Sequence, residues 1–314
     1  TWQYNSNGTY ASETWVNGAT NTELATLAEA MEGAADLTNA FDVSTASYDF
    51  VSFSVNSQEA VPRAMAFNTD GTKMFVIGNV SDAVHEYNLS TAFDISTASF
   101  IDSFSVSSQG VNPYGLAFSS DGTKMFTVDG GTDDVHEYTL STGFDISTAS
   151  FSQTLATGAN PSSVTFNNDG TKMFIVRSGA TDIIDEYTLS TAFDISTSSF
   201  VDGFNINSQD TTPAQLAFNN DGTKMFVVGY ASDNVNEYAL STAFDVSTSV
   251  FVDSFSVAAQ DTYPLGLAFN SDGTKMYICG NVTDSVLQYS VGTTAYPNQM
   301  DKTQLDAVTD PNHI

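Results

Sequence analysis

Apolar and polar positions in the middle of this chain fall into short runs with a period near two, not into helical stripes. Pro264-Leu265-Gly266-Leu267-Ala268-Phe269 is one such run, and an Asp-Gly turn joins it to a second, Lys275-Met276-Tyr277-Ile278-Cys279. Glycine supplies the positive φ that a tight turn of this kind requires. A third run is Val84 to Leu89 and a fourth is Ser99 to Val106. Runs this short, rich in β-branched and aromatic residues and punctuated by Gly, Asn, Asp and Ser, predict β-strands, here termed A, B, C and D.

The four-strand pattern repeats. Asp-Gly-Thr-Lys-Met blocks begin at Asp70, Asp121, Asp169, Asp221 and Asp272, with steps of 51, 48, 52 and 51 residues. Phe-Asp-(Ile/Val)-Ser-Thr blocks carry Asp42, Asp94, Asp145, Asp194 and Asp245 at nearly the same period. Four-stranded units at this spacing indicate propeller blades. The ends fix the blade count: the first unit supplies only a D strand, Tyr48 to Val55, and the last has A, B and C but no D. The expected fold is therefore all-β, a closed five-bladed β-propeller of four-stranded blades in which the N-terminal strand completes the last blade. That clasp would remove an open sheet edge, and it would bury Tyr48, Phe50 and Phe53. The domain boundaries read as an arm over 1–34, a propeller over 35–291 and an extension over 292–314.

Charge narrows the partners. A net charge of −29, with only 8 basic residues against 37 acidic ones, opposes binding to phosphate backbones and anionic headgroups. No nucleic-acid or membrane partner is expected, and no segment approaches eighteen consecutive apolar residues. Self-repulsion of this size is screened in brine, which fits a saline exterior. The single cysteine, Cys279, takes the slot of Ile77, Val128, Val176 and Val228 and reads as a buried aliphatic substitute. The chain opens at Thr1 with no visible signal peptide, and reads as a processed product or a segment of something longer.

The run Pro-x-Gly-Leu-Ala-Phe-x-x-Asp-Gly-Thr-Lys-Met-(Phe/Tyr)-Val, followed by Asp-x-Val-x-Glu-Tyr, resembles the YVTN and WD-repeat-like propeller superfamily. The long Ser/Thr-rich version is similar to repeats in surface and virion proteins of marine bacteria and their phages. The likeness covers about residues 35 to 291. It implies the fold, whereas propellers host lactonases, glycosidases, scaffolds and lectins alike.

Candidate chemistry is sparse. The Asp residues before each Gly turn, those of the Phe-Asp blocks, and Asp82, Asp133, Asp182, Asp233 and Asp284 all read as turn formers or caps. Calcium is the alternative, although the dense Asp-x-Asp-x-Asp-Gly pattern is missing. No cofactor is otherwise expected. Lys73, Lys124, Lys172, Lys224 and Lys275 should form a circle offset by the Asp residues of the C–D connections, as surface pairs contributing ~0–1 kcal/mol each. His85 and His136 share a slot with Asp185, Asn236 and Leu287, which argues against a repeated metal site. The A strands carry no acidic residue, which speaks against glycosidase chemistry.

The repeats differ from one another mainly in the D–A and B–C loops, which share one face. After each proline come Arg63, Tyr114, Ser162, Ala214 and Leu265; the B–C loops offer Asn79, Asp129, Arg177, Tyr230 and Asn281; the D–A loops add Gln58, Gln109, Gln209 and Gln260. Of these, Arg63, Tyr114, Asp129, Arg177, Tyr230 and the four glutamines are the candidate binding residues, for a glycan or a protein. In the arm, Trp2, Tyr4, Tyr10 and Trp15 flank a predicted hairpin, and Leu24, Leu27 and Met31 form one face of a predicted helix behind a Thr20–Glu23 capping box. These are the candidate assembly residues, contacting a neighbouring subunit or particle. The expectation is a non-enzymatic display, decoration or assembly module at a cell or virion surface. The alternatives are a carbohydrate-binding adhesin and a propeller hydrolase or lactonase.

Overall fold

The computed structural model of the protein describes residues 39–158, 160–179 and 182–292. The predicted arm, with Trp2, Tyr4, Tyr10, Trp15, Leu24, Leu27 and Met31, and the extension from residue 293 lie outside the described residues.

Among the described residues twenty strands form five antiparallel four-stranded sheets. Blade 1 is β2 (Pro62–Phe67), β3 (Lys73–Gly78), β4 (Ala83–Leu89) and β5 (Ala98–Ser105), in that order from the channel outward. Blade 2 repeats this with β6 (Pro113–Phe118), β7 (Lys124–Asp129), β8 (Asp134–Leu140) and β9 (Ala149–Ala156). Blade 3 has β10 (Pro161–Phe166), β11 (Lys172–Arg177), β12 (Ile183–Leu189) and β13 (Ser198–Asn205). Blade 4 has β14 (Pro213–Phe218), β15 (Lys224–Gly229), β16 (Asn234–Leu240) and β17 (Ser249–Ser256). Blade 5 has β18 (Pro264–Phe269), β19 (Lys275–Gly280) and β20 (Ser285–Ser290), and its outer strand is β1 (Ser47–Ser54) from the chain's beginning. The innermost strands touch in sequence β2–β6–β10–β14–β18 and back to β2, so the ring is closed.

Hydrophobic cores lie between blades. One groups Phe75, Ile77 and Val84 of blade 1 with Leu116, Met125 and Tyr138 of blade 2. The turns are specified locally: Gly71 sits at φ +72°, and Asp70 Oδ1 accepts from Thr72 N at 3.0 Å. Glycine is needed there twice over, since a Cβ on Gly71 would fall 2.2 Å from the Phe93 ring. The Asp of each Phe-Asp block caps a one-turn 3-10 helix, as Asp94 does by accepting from Ser96 N at 3.0 Å. Cys279 is fully buried, and burial pushes its thiol up to about 12, as an aliphatic substitute would have it.

Two expectations are corrected. Tyr48 and Phe53 are half-buried, but Phe50 is 89% exposed with φ +59°. The pairing passes directly from Tyr48–Tyr289 to Val51–Gln288, so Asp49 and Phe50 form a bulge. In the other blades one residue, such as Ile101, is skipped at this point. Between the equivalents of Phe100 and Val106 the N-terminal unit, from Tyr48 to Val55, therefore carries one residue more, and Phe50 is extruded to absorb it.

The lysines also differ from expectation. Lys73, Lys124, Lys172 and Lys224 pair with strand-C glutamates, not with the Asp caps, at 2.6, 2.8, 2.6 and 2.8 Å. The glutamates are nearly buried, with side chains only 2–4% exposed. Each ammonium also donates to a backbone carbonyl of the next blade, as Lys73 Nζ does to Phe144 O at 2.7 Å. These are inter-blade locks rather than surface pairs.

Candidate functional site

The variable face surrounds a cavity of about 370 Å3 at the upper mouth of the channel. Its shape follows from a backbone device. In every blade the ladder between strands A and B skips the residue after the proline, for example between Pro62 and Ala64. A bulge re-aims the skipped side chain, and all five such residues, Arg63, Tyr114, Ser162, Ala214 and Leu265, line the cavity. The prolines favour this placement, having no N–H to lose from a ladder. Asn160, Thr212 and Tyr263, each just before a proline, also line it. The sequence pattern pointed to the residue after each proline and not to these; their signal is the fixed pre-proline slot.

Within the cavity the Arg63 guanidinium lies over the Tyr114 ring, 4.8 Å from its centroid. Its Nε donates to Asn79 Oδ1 at 3.4 Å. Tyr230 and Tyr263 stack at 4.3 Å with their planes 24° apart. Burial, then the neighbouring Tyr263, pushes the Tyr230 phenol above its ordinary range, so it is a hydrogen-bonding group near neutral pH and not a base. No carboxylate lines this cavity among the described residues. Arg63 is also the one lysine or arginine among them without a carboxylate within 4 Å, the other six being paired.

The remaining candidates sit elsewhere. Gln58, Gln109 and Gln260 accept hydrogen bonds from the strand-C hydroxyls of Tyr87, Tyr138 and Tyr289, at 3.5, 3.1 and 3.4 Å. Gln209 is half-buried in the equivalent loop, and none of the four lines the cavity. Arg177 is ion-paired with buried Asp185. Asp129 is 2% exposed and accepts from Asn112 N, Gly131 N and Thr132 N at 2.7–2.8 Å.

Asp129 belongs to a loop-capping system that the sequence comparison missed. In blades 1, 4 and 5 the acid comes from the D–A loop instead. Glu59 accepts from Val61 N and Ser81 N, Asp210 from Thr212 N and Ser232 N, and Asp261 from Tyr263 N and Thr283 N. Opposite each lies a glycine, Gly78, Gly229 or Gly280, whose Cβ would fall 2.2–2.5 Å from that acid. Blade 2 inverts the pair: Gly110 occupies the loop slot, and its Cβ would meet Asp129 at 2.1 Å. The signal was the residue after each glutamine, which is Glu59, Gly110, Asp210 and Asp261.

Among the described residues no group of three His, Cys, Asp or Glu side chains could hold a metal ion, and no helix is long and apolar enough to cross a membrane. His85 instead contacts Ser81 Oγ at 2.9 Å and His136 contacts Thr154 Oγ1 at 3.0 Å.

No protein-family model and no curated protein matches this chain. Solved structures do. The chain is similar to a candidate 6-phosphogluconolactonase from Bacteroides uniformis (TM-score 0.47, 12% identity, 73% of this chain and 66% of that one). It is also similar to a protein from Lactobacillus plantarum (0.47, 15%, 73% and 67%) and to the periplasmic gluconolactonase of Pseudomonas aeruginosa (0.42, 16%, 62% and 54%). The match spans less than two thirds of the Bacteroides and Pseudomonas chains. At such identities and TM-scores the likeness says nothing of this chain's activity. The expectation that the chain is not an enzyme is nevertheless corrected: propellers named as lactonases stand among the structures it is similar to. The display and virion readings have no counterpart in these comparisons.

Proposed function

We propose that the upper mouth binds a small hydroxylated anion or the lactone that yields it, and that lactone hydrolysis is the reaction to assay. The observation that carries this is Arg63: a guanidinium with no carboxylate partner among the described residues, held on an aromatic face in a cavity that no described carboxylate lines, within a chain of net charge −29. Everywhere else among the described residues a lysine or arginine is matched by an acid, so this one is left available for a ligand. The Tyr114 ring, 4.8 Å away, holds the guanidinium by a cation–π contact without neutralising it. The Tyr230–Tyr263 pair, Ser162, Thr212 and Asn160 add hydroxyl and amide groups around a partly apolar wall, the composition of a small-molecule site.

Lactone hydrolysis adds water to the ring carbonyl, then breaks the ring C–O bond to leave a carboxylate and an alcohol. Arg63 would stabilise the oxyanion of the intermediate and then the carboxylate product. The cavity supplies no carboxylate or imidazole base, so binding is the claim and turnover is the question put to experiment. Calorimetry with gluconate, and pH-stat assay of gluconolactone against its spontaneous hydrolysis, test the two parts. Arg63→Ala should weaken gluconate binding at least tenfold with an unchanged melting temperature. Gluconate binding that ignores this substitution would remove the proposal; binding without turnover would leave a binding protein.

A further inference from the structure

The opposite end of the channel holds a second cavity, of about 300 Å3, that shares none of the lining residues of the first. Gln215 crosses the waist between them. Its Nε2 donates to Met65 O at 3.2 Å and its Oε1 accepts from Leu267 N at 2.9 Å, which ties blade 4 to blades 1 and 5. The equivalent positions are Ala64, Gly115, Ser163 and Gly266, small enough to leave room for it.

This lower vestibule has a different chemistry. Its wall is a ring of small groups, Ala66, Ala117, Thr165, Ala217 and Ala268, widening to the half-buried rings of Phe118, Phe166 and Phe218. Its rim is pre-organised by bonds between blades: Asn168 Nδ2 donates to Asn220 O at 2.6 Å, Asn220 Nδ2 to Ser271 O at 2.6 Å, and Thr69 Oγ1 to Ser120 O at 3.0 Å. Among the described residues no ionisable side chain lines it, although the chain carries 37 acidic residues.

We propose that the lower vestibule is a second binding site, for a neutral sugar ring. Phenyl faces match the apolar C–H face of a pyranose, while rim amides, hydroxyls and carbonyls match its hydroxyl edge. An anion would meet the field of Asp121, Asp169 and Asp221, which directly follow the rim residues Ser120, Asn168 and Asn220. A cation would find no carboxylate among the described lining residues. The site therefore selects by neutrality, whereas the upper mouth presents a charge.

Saturation-transfer NMR and calorimetry on the full chain, using methyl glucoside, methyl galactoside and the free hexoses, test this. Ala217→Phe, which fills the vestibule, should weaken hexose binding at least tenfold, whereas Arg63→Ala should leave it unchanged. If Ala217→Phe alters the melting temperature, Asn220→Ala at the exposed rim decides in its place, with the same loss expected. Binding of free hexoses alone would identify a soluble sugar as the ligand; binding of the methyl glycosides as well would admit the end of a glycan. Failure of every hexose to bind, or loss of binding with Arg63→Ala and not with the vestibule variants, would overturn the proposal.

Discussion

Blades 1 to 4 are each woven from one continuous stretch, whereas blade 5 joins the two ends of the ring, and the same structural problems are solved differently in the two cases. In blades 1 to 4 a strand-C glutamate holds the strand-B lysine, which reaches a carbonyl in the next blade. In blade 5 the glutamate is replaced by Gln288, and the carboxylate arrives from the other end of the chain as Asp49, 2.6 Å from Lys275 Nζ. Lys275 no longer serves the neighbouring carbonyl; Tyr277, which replaces a phenylalanine, donates its hydroxyl to Phe93 O at 2.5 Å instead. The ring thus places the charge that partners Lys275 on the closing strand. An unclosed ring leaves Lys275 without that carboxylate, so pairing of β1 is specified by electrostatics as well as by shape.

The largest test of this difference is removal of the clasp. A chain beginning at Ser57 lacks β1, the half-buried Tyr48 and Phe53, and Asp49. Its stability in urea should fall by more than about 3 kcal/mol, the lower end of the cost of deleting one large core aromatic. An unchanged urea midpoint would show that closure of the ring contributes nothing.

Next in size is a paired comparison of lysines. Lys73→Met leaves Glu86, 4% exposed, with the Ile146 N–H as its remaining partner at 3.2 Å. Breaking a fully buried pair costs about 3–5 kcal/mol; Lys73 is partly exposed, so about 2–3 kcal/mol is expected. Lys275→Met should cost only about 1 kcal/mol, because Asp49 is more exposed and keeps Ser290 Oγ at 2.5 Å and Gln288 Nε2 at 2.9 Å. Equal losses in urea titrations of the two variants would contradict the account of the closing blade.

A smaller effect is visible in acid. Burial alone would raise the Asp49 carboxyl, but hydrogen bonds from Lys275, Ser290 and Gln288, with the lysine charge, outweigh it and hold the group below the usual carboxylate range. A depressed carboxylate contributes stability that is present above its unfolded value, about 3.9, and lost as pH falls through the lower folded value. Asp49→Asn should therefore be less stable than the parent at pH 7, and the gap should narrow as pH falls below about 4. Denaturation midpoints at pH 7 and pH 3 check this. A gap that widens in acid would reverse the assignment.

The same contrast shows what the sequence could disclose. Blade number and ring closure were legible because turn blocks and split ends are properties of spacing. The line of post-proline residues was legible as variable, and the bulge after each proline brings all five to one cavity. The surroundings of the glutamines were not legible, because spacing cannot show that Gln58, Gln109 and Gln260 each meet a tyrosine two strands away. Asp129 looked like loop variation because its counterpart, Gly110, stands nineteen positions earlier, and only the fold sets them side by side. The lysine partners were misassigned for a related reason. Caps and strand-C glutamates both lie near the lysines, and burial decides which carboxylate needs the charge more.

The smallest expected effect belongs to Phe50, which an ordinary reading of β1 would place in the core. From Thr45 to Val55 the N-terminal unit has one residue more than the stretch from Thr97 to Val106. The ladder keeps Tyr48 opposite Tyr289 and Phe53 opposite Val286, so the surplus must leave the sheet between them. Asp49 stays because Lys275, Gln288 and Ser290 bind it, and Phe50 takes the left-handed backbone and the solvent. Its ring retains a tilted contact with Tyr48 at 5.3 Å, which at 89% exposure contributes little. Glycine adopts φ near +60° without the Cβ penalty, at the cost of a more flexible unfolded chain. Phe50→Gly should accordingly be neutral or stabilise the protein by up to about 1 kcal/mol, whereas Phe53→Ala three residues on should destabilise it. A urea midpoint that falls by the same amount for both would mean that Phe50 packs against the ring, and that the extra residue is accommodated elsewhere in the strand.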